Sequence, residues 1–280
     1  MPITNVEKIE TLPSGLRIIK FSNSHCSKYT ISDEHGIKLI KNSQDEFESY
    51  QLFDTYSKSP NGDIIFGIYK SYDEFVQRVI PHIDLCGAKD LKTKAPFNPS
   101  TMYDEQKEDV YKIQKPTKKI EDIIPEEYKF IYGVINDKGI MTIFPTYDSI
   151  TYADENSYIV GEIIKGSGLR YGYADSITGT LFTPICFQEA GKYHNSRSVV
   201  KFHDKFGYTD RYKFIDNPNV QESYPPNLYP KFYSATPFYN GEAKVTLTLG
   251  NAQDKPVVVK YDINGNLINN THQKVYPKQG

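Results

Sequence analysis

Tyr132-Gly133-Val134-Ile135-Asn136-Asp137-Lys138-Gly139, followed by Ile143-Phe144-Pro145 and Tyr147, is the stretch on which the reading of this chain turns. Tyr132 to Ile135 is rich in strand formers, and alternate side chains of a strand point to one face. Asn136 to Gly139 has the chemistry of a hairpin turn: Asn and Asp tolerate the turn geometry and Gly supplies positive φ. A second apolar strand, Ile140 to Phe144, follows, and Pro145 is expected to stop it because proline cannot continue a ladder. Gly172 lies 39 residues after Gly133, in Tyr171-Gly172-Tyr173-Ala174-Asp175, with Gly179, Phe182-Thr183-Pro184 and Phe187 behind it. Gly207 lies 35 residues further on, in Phe206-Gly207-Tyr208-Thr209-Asp210. Proline falls 12 residues after the glycine in the first two copies, and Asn or Asp falls three after it in all three. One hairpin alone is marginal in water. A recurrence at this period therefore points to units that bury one another's aromatic faces.

A fourth copy keeps the turn and loses the start. Tyr261-Asp262-Ile263-Asn264-Gly265 places Asp and Gly as before, with Val258-Val259 where aromatic-Gly is expected. Upstream, Pro230, Phe232, Ala235, Phe238, Gly241, Ala243 and Val245 form their own pattern. That pattern resembles the second half of the tryptophan-glycine (WG) repeat of bacterial proteins. Tyr132-Gly133, Tyr171-Gly172 and Phe206-Gly207 resemble its first half, with Tyr or Phe in place of Trp. The resemblance covers about residues 130–270. It implies an array of short hairpin units, solenoid-like or propeller-like, and a protein that works as an accessory or interaction component. The chain has no Trp at all, so the family's loudest residue is missing. The third copy also departs from the pattern: Gly207 and Pro230 are 23 residues apart, 11 more than in the first two.

The N-terminal part offers two worn copies. Tyr29 to Gly36 keeps the Asp and Gly spacing, and Phe66-Gly67-Ile68-Tyr69 keeps aromatic-Gly. Between them and the clear array the texture changes. Residues 72–80 have helical apolar spacing and stop at Pro81, residues 101–114 read as an exposed helix capped by Thr101, and Pro125 opens a short helical start. The expected organisation is residues 1–70 as a β-rich segment, 71–128 as a helical or irregular insertion, and 129–280 as the repeat array. The fold class is mostly β with a helical insertion.

Composition narrows the role. Charged residues are 24%, the net charge is −2, and mean hydropathy is −0.56. Neither a general nucleic-acid binder nor a membrane protein is expected from these values. Only five of the 33 basic residues are Arg, the residue that best reads phosphates and bases. Met1 to Leu12 lacks the apolar stretch of a secretory signal, and the three cysteines have no CxxC spacing. Free thiols in a bacterial cytoplasm are the expectation, with no cofactor and no metal.

Chemistry-bearing motifs are sparse. Gly166-Ser167-Gly168 to Gly172 is one residue too long for a dinucleotide fingerprint and reads as a hairpin loop. Asp262 to Asn266 lacks the sixth-position Gly and closing Glu of a calcium loop and reads as a turn. His194, His203, Asp204 and Asp210 fall within 17 residues and are the single candidate cluster for a hydrolytic enzyme. The 23 tyrosines suit protein interfaces and sugar stacking alike. Tyr193, Tyr212, Tyr224, Tyr229, Tyr233 and Tyr239 are the candidate binding residues. Tyr132, Gly133, Gly139, Pro145, Tyr171, Gly172, Gly179, Pro184, Phe206, Gly207, Phe238, Gly241 and Gly265 are the candidate structural positions. The expected role is a non-catalytic module that binds another protein, of the kind an immunity protein or inhibitor of a toxin or effector would be. A carbohydrate-binding module is the alternative from a second class.

Overall fold

The computed structural model describes residues 5–22, 27–33, 36–37, 40–42, 48–49, 52–70, 129–164, 167–215, 217–247 and 257–268. The helices expected within 71–128 lie outside them. The described residues are mostly β, in several small antiparallel sheets, and contain one 3-10 turn and no α-helix.

The first sheet is a meander of β1 (Asn5–Thr11), β2 (Arg17–Ser22), β3 (Ser27–Asp33) and β4 (Gly36–Ile37). The second contains β5 (Ile40–Asn42), β6 (Glu48–Ser49), β7 (Thr55–Lys58), β8 (Ile64–Tyr69), β9 (Phe130–Ile135) and β10 (Ile140–Tyr147), with β5 lying parallel to β10. The third runs β11 (Ser149–Tyr152), β12 (Ser157–Ile164), β13 (Gly168–Asp175) and β14 (Leu181–Phe187). The fourth has β15 (Glu189–Ala190), β16 (Arg197–Phe202) and β17 (Lys205–Asp210), and the fifth β18 (Ser234–Ala235), β19 (Glu242–Leu247), β20 (Val257–Asp262) and β21 (Leu267–Ile268). In the fourth, the long segment between Gly207 and Pro230 stands where a fourth strand would, and Phe206 pairs with Phe232 by an isolated bridge.

The same corner joins successive sheets. An aromatic residue pairs with the third strand, one residue bends, and the next sheet begins. Phe53 faces Tyr29, Tyr147 faces Tyr132, Phe187 faces Tyr171, and Phe232 faces Phe206. The bend residues are Asp54, Asp148, Gln188 and Tyr233. Each donates its N–H, at 2.8 Å, to the carbonyl of the residue 13 further on: Gly67, Gly161, Lys201 and Thr246. At three corners the side chain makes a second bond: Asp54 accepts from the Tyr69 N–H, Asp148 from Ile163, and Gln188 from Asp204.

The pairing also assigns the aromatic-Gly positions. Gly67 faces Tyr132, Gly161 faces Tyr171, Lys201 faces Phe206, and Thr246 faces Val258. Tyr132, Tyr171, Phe206 and Val258 therefore hold matching places on third strands. Phe66-Gly67 does not; it lies on a second strand, and its meander resumes at Phe130. A side chain at Gly133, Gly172 or Gly207 would strike the incoming fourth segment. A Cβ on Gly207, for instance, would sit 2.5 Å from the Pro230 nitrogen. Pro145 and Pro184 do not end their strands, contrary to the sequence expectation. The ladder shifts register beside each, between Ile143 and Tyr147 and between Tyr171 and Tyr173, so the missing N–H faces no partner.

Four apolar cores lie between sheets that are consecutive in the chain. Leu12, Ile18, Ile31, Phe53, Phe66 and Met141 fill the first, and Val134, Ile143, Tyr158 and Val160 the second. Tyr173, Phe187, Tyr193 and Val200 fill the third, and Tyr208, Phe232, Phe238 and Val245 the fourth. Tyrosine suits these seams because its ring fills the core while its hydroxyl reaches polar atoms of the adjoining sheet. Tyr173 donates to the Gly191 carbonyl at 2.7 Å and Tyr208 to the Thr236 carbonyl at 2.8 Å. Gly191 and Thr236 each lie three residues after a corner. Turn glycines clasp the preceding unit as well. Gly179 and Gly265 have φ of +71° and +80°, and a Cβ on either would meet the carbonyl oxygen of Thr142 or Pro226 at 1.9 or 1.8 Å. Gly139 and Gly241 take the same positive φ in their own turns.

Candidate functional site

The six candidate tyrosines divide by burial. Tyr193 and Tyr224 are core residues, 1% and 2% exposed. The Tyr193 hydroxyl lies 3.1 Å from Thr209 Oγ1, and Tyr224 donates to the Pro218 carbonyl at 2.9 Å. Burial pushes both phenols above their usual range. Tyr229 is half-buried, edge-on to Tyr224. Tyr212, Tyr233 and Tyr239 are exposed, at 83%, 59% and 78%. Among the described residues none of these three stacks on another aromatic ring.

Tyr212 and Tyr239 stand at the end of the sheets that carries the turns between first and second strands and between third and fourth strands. These turns bond to one another, both within the third sheet and from the fourth sheet to the third. The Ser196 N–H donates to Glu155 Oε1 at 3.0 Å, and the Ser176 N–H donates to the Asn156 carbonyl at 3.0 Å. Asp154, Glu155 and Asn156 all have positive φ, which non-glycine residues seldom adopt. Arg211 braces them. Its Nε donates to the Glu155 carbonyl at 2.9 Å and its Nη2 to the Asn156 carbonyl at 3.0 Å. The same Nη2 lies 2.7 Å from Asp175 Oδ2, and the guanidinium sits 4.6 Å over the Phe182 ring.

Burial opposes the Asp175 charge, but the Thr178 N–H, the guanidinium and the Ile177 N–H outweigh it and hold the carboxyl below its usual range. Ile177 and Tyr212 flank this ion pair, Ile177 through its N–H bond to Asp175 and Tyr212 as the neighbour of Arg211. Ile177 is 69% exposed, and Phe214, two residues after Tyr212, is exposed too. Large apolar side chains thus project from a backbone held rigid by polar bonds. Sequence reasoning missed Arg211, because its partners Phe182, Asp175, Asn156 and Glu155 lie 29 to 56 residues away, and it missed Ile177 and Phe214 with it.

The opposite end carries the corners and the hairpins between second and third strands. Where the fourth sheet turns into the fifth, three lysines lie over aromatic rings. Lys201 Nζ is 5.4 Å from the Phe206 centroid, Lys205 Nζ 5.7 Å from Tyr233, and Lys231 Nζ 5.5 Å from Phe232. Sequence reasoning missed these as well; the pairing of Lys201 with Phe206 across a two-residue hairpin was the signal that could have found them.

The histidine cluster does not assemble. His194 precedes β16 and His203 follows it, so the six-residue strand Arg197–Phe202 separates them. A strand rises about 3.3 Å per residue, which puts them roughly 20 Å or more apart. Asp210 belongs with the His194 end, where Arg197 Nη1 pairs with it at 2.7 Å, and Asp204 with the His203 end. Among the described residues no group of three His, Cys, Asp or Glu side chains is arranged to hold a metal ion. Ser167 is a turn residue leading into β13, and Asp262 folds its carboxylate onto the N–H groups of Asn264 and Asn266. Cys186 is partly buried, and desolvation pushes its thiol up to about 12. No helix among the described residues is long and apolar enough to cross a membrane.

Comparison with known proteins adds little. No family model matches the chain, and no curated protein does. A crystal structure of a protein of unknown function from Bacteroides caccae aligns over 92% of this chain and 78% of its own, at 11% identity and a TM-score of 0.24.

Proposed function

We propose that this chain is a non-catalytic module that binds another protein, working in a bacterial cytoplasm in the manner of an immunity protein or inhibitor of a toxin or effector. The proposal includes its architecture: a WG-like repeat array, stacked as in a solenoid or propeller, with Tyr, Phe or Val at the Trp position. The recurring corners and the cores shared by consecutive sheets support that reading. The observation that carries the function is the pair of large exposed side chains, Ile177 and Tyr212, on turns that Arg211 and Asp175 lock in place. Rigid, projecting apolar groups lose little entropy on docking, and aromatic anchors of this kind dominate protein interfaces. No convergent acid, base and nucleophile accompany them among the described residues.

The test is cross-linking and size-exclusion capture from cytoplasmic extract, comparing the wild-type chain with an Ile177→Asp/Tyr212→Asp variant whose melting temperature is unchanged. One protein partner retained by the wild type and lost from the variant is the expected result. A wild-type chain that retains no protein, or a variant that retains the same one, overturns the reading.

A further inference from the structure

We propose that the corner between the fourth and fifth sheets is a docking site for an acidic, tyrosine-containing protein segment, held on Lys205, Lys231 and Tyr233. This inference rests on the reading of the chain as a protein-binding module and names the chemistry of one partner segment.

The corner is built by backbone pairing. Phe206 is the cross-strand neighbour of Lys201, its N–H and carbonyl bond to the segment at Lys231 and Phe232, and Tyr233 is the bend residue that follows. Three ammonium groups are thereby brought to one corner of a chain whose net charge is −2. Their states differ. Lys201 is engaged with Glu189 at 3.0 Å, and the nearby Asp204 is engaged with the Gln188 amide at 2.8 Å. Lys205 and Lys231 are exposed and have no carboxylate partner among the described residues. A ring face attracts a cation without neutralising it, so each lysine is held in place and still carries a full charge for a carboxylate. Tyr233 adds an exposed ring beside them, with the Lys205 ammonium 5.7 Å from its centroid, on which a second aromatic residue can pack.

The choice of a protein segment over nucleic acid follows from the residues. Lysine point charges on a short corner lack the guanidinium forks that grip phosphates, and only one exposed ring is present, where single strands need a run of stacking platforms. Alternating carboxylates and a ring match the alternation of ammonium groups and ring at this corner.

The experiment is fluorescence anisotropy of a labelled peptide of alternating Glu and Tyr. It is run with the full chain, with a Lys205→Glu/Lys231→Glu variant of unchanged melting temperature, and with a Lys-Tyr peptide and a single-stranded oligothymidylate as the other probes. The Glu-Tyr peptide is expected to bind the wild-type chain, to weaken as salt rises, and to weaken by about tenfold or more in the variant, since two attractive contacts become repulsive. The Lys-Tyr peptide is expected not to bind. Absence of Glu-Tyr binding, equal binding by the variant, or equal binding of the oligothymidylate overturns the proposal. The variant also separates this inference from the broader one. A partner lost with Ile177→Asp/Tyr212→Asp but kept by Lys205→Glu/Lys231→Glu leaves the module reading standing and removes the corner from it.

Discussion

Tyr158→Phe removes one hydroxyl from the seam between the second and third sheets, and its cost follows from what that hydroxyl touches. Tyr158 is fully buried, and its Oη donates to Asp63 Oδ2 at 2.7 Å, with Ser59 Oγ 3.1 Å away. Asp63 is itself 5% exposed. Burial raises its carboxyl above the usual range, and the bonds from Tyr158 and Asn61 recover part of that shift. A hydrogen bond to a charged group contributes about 1.5–3 kcal/mol. The Asn61 amide stays on Asp63 Oδ2 at 2.8 Å, so the loss belongs near the middle of that range, about 2 kcal/mol at pH 7.

The pH dependence fixes the sign. The folded Asp63 holds its proton to higher pH than the unfolded one, whose value is about 3.9. The stability this group lends is complete below that value and is lost as pH rises through the raised folded value. Without the phenol the carboxylate is less favoured still, so the folded value climbs and the loss deepens. Tyr158→Phe therefore costs less at pH 4, about 1 kcal/mol, because a neutral carboxyl forfeits only an ordinary hydrogen bond. Asp63→Asn keeps an acceptor and removes the charge. In that background Tyr158→Phe is expected to cost about 1 kcal/mol at both pH values, a coupling of about 1 kcal/mol at pH 7. Urea unfolding of the four proteins of the cycle at the two pH values measures this. A Tyr158→Phe cost that is the same at pH 4 and pH 7, and the same with Asn at position 63, refutes the reasoning.

Two further outcomes are expected. Gly179→Ala should cost well over the roughly 1–2 kcal/mol of an alanine at positive φ, because its Cβ would meet the Thr142 carbonyl at 1.9 Å. Gly241→Ala, with φ +78° and open space around it, should cost only that roughly 1–2 kcal/mol, and thermal unfolding of the pair separates contact from conformation. Replacing residues 71–128 with Asn-Gly should leave the second sheet intact, since the Lys70 N–H already donates to the Lys129 carbonyl at 3.0 Å and Tyr69 pairs with Phe130. Far-UV circular dichroism that loses its β signal in this variant would contradict that.

The sequence exposed those parts of the fold whose causes are local. The turns at Asn136, Asp175 and Asp262 were legible because in each the side chain binds N–H groups two to four residues ahead. The period of the aromatic-Gly pairs was legible for a similar reason at Gly133 and Gly172, which answer to a segment arriving about a dozen residues later, whereas Gly207 answers to one 23 residues on. Phe66-Gly67 shows the limit. Gly67 faces Thr55 and Tyr132, so the dipeptide is needed there by a second strand's crowding. Nothing within four residues distinguishes that from the crowding of a third strand.

The tyrosines were harder, and for a physical reason that bears on the candidate site. A Tyr on a strand looks alike to its sequence neighbours whether its hydroxyl meets water or a carbonyl of the next sheet. Tyr173 and Tyr212 differ because Gly191 lies one sheet ahead of the first, while the turn that carries the second projects beyond Arg211. The 18 residues between Tyr173 and Gly191 are about half of one period. Aromatic count alone therefore overstates a binding surface in a chain of this kind. Each hydroxyl bonded across a seam withdraws one ring from the surface, and Ile177, Tyr212 and Tyr233 carry weight because most of each side chain stays exposed.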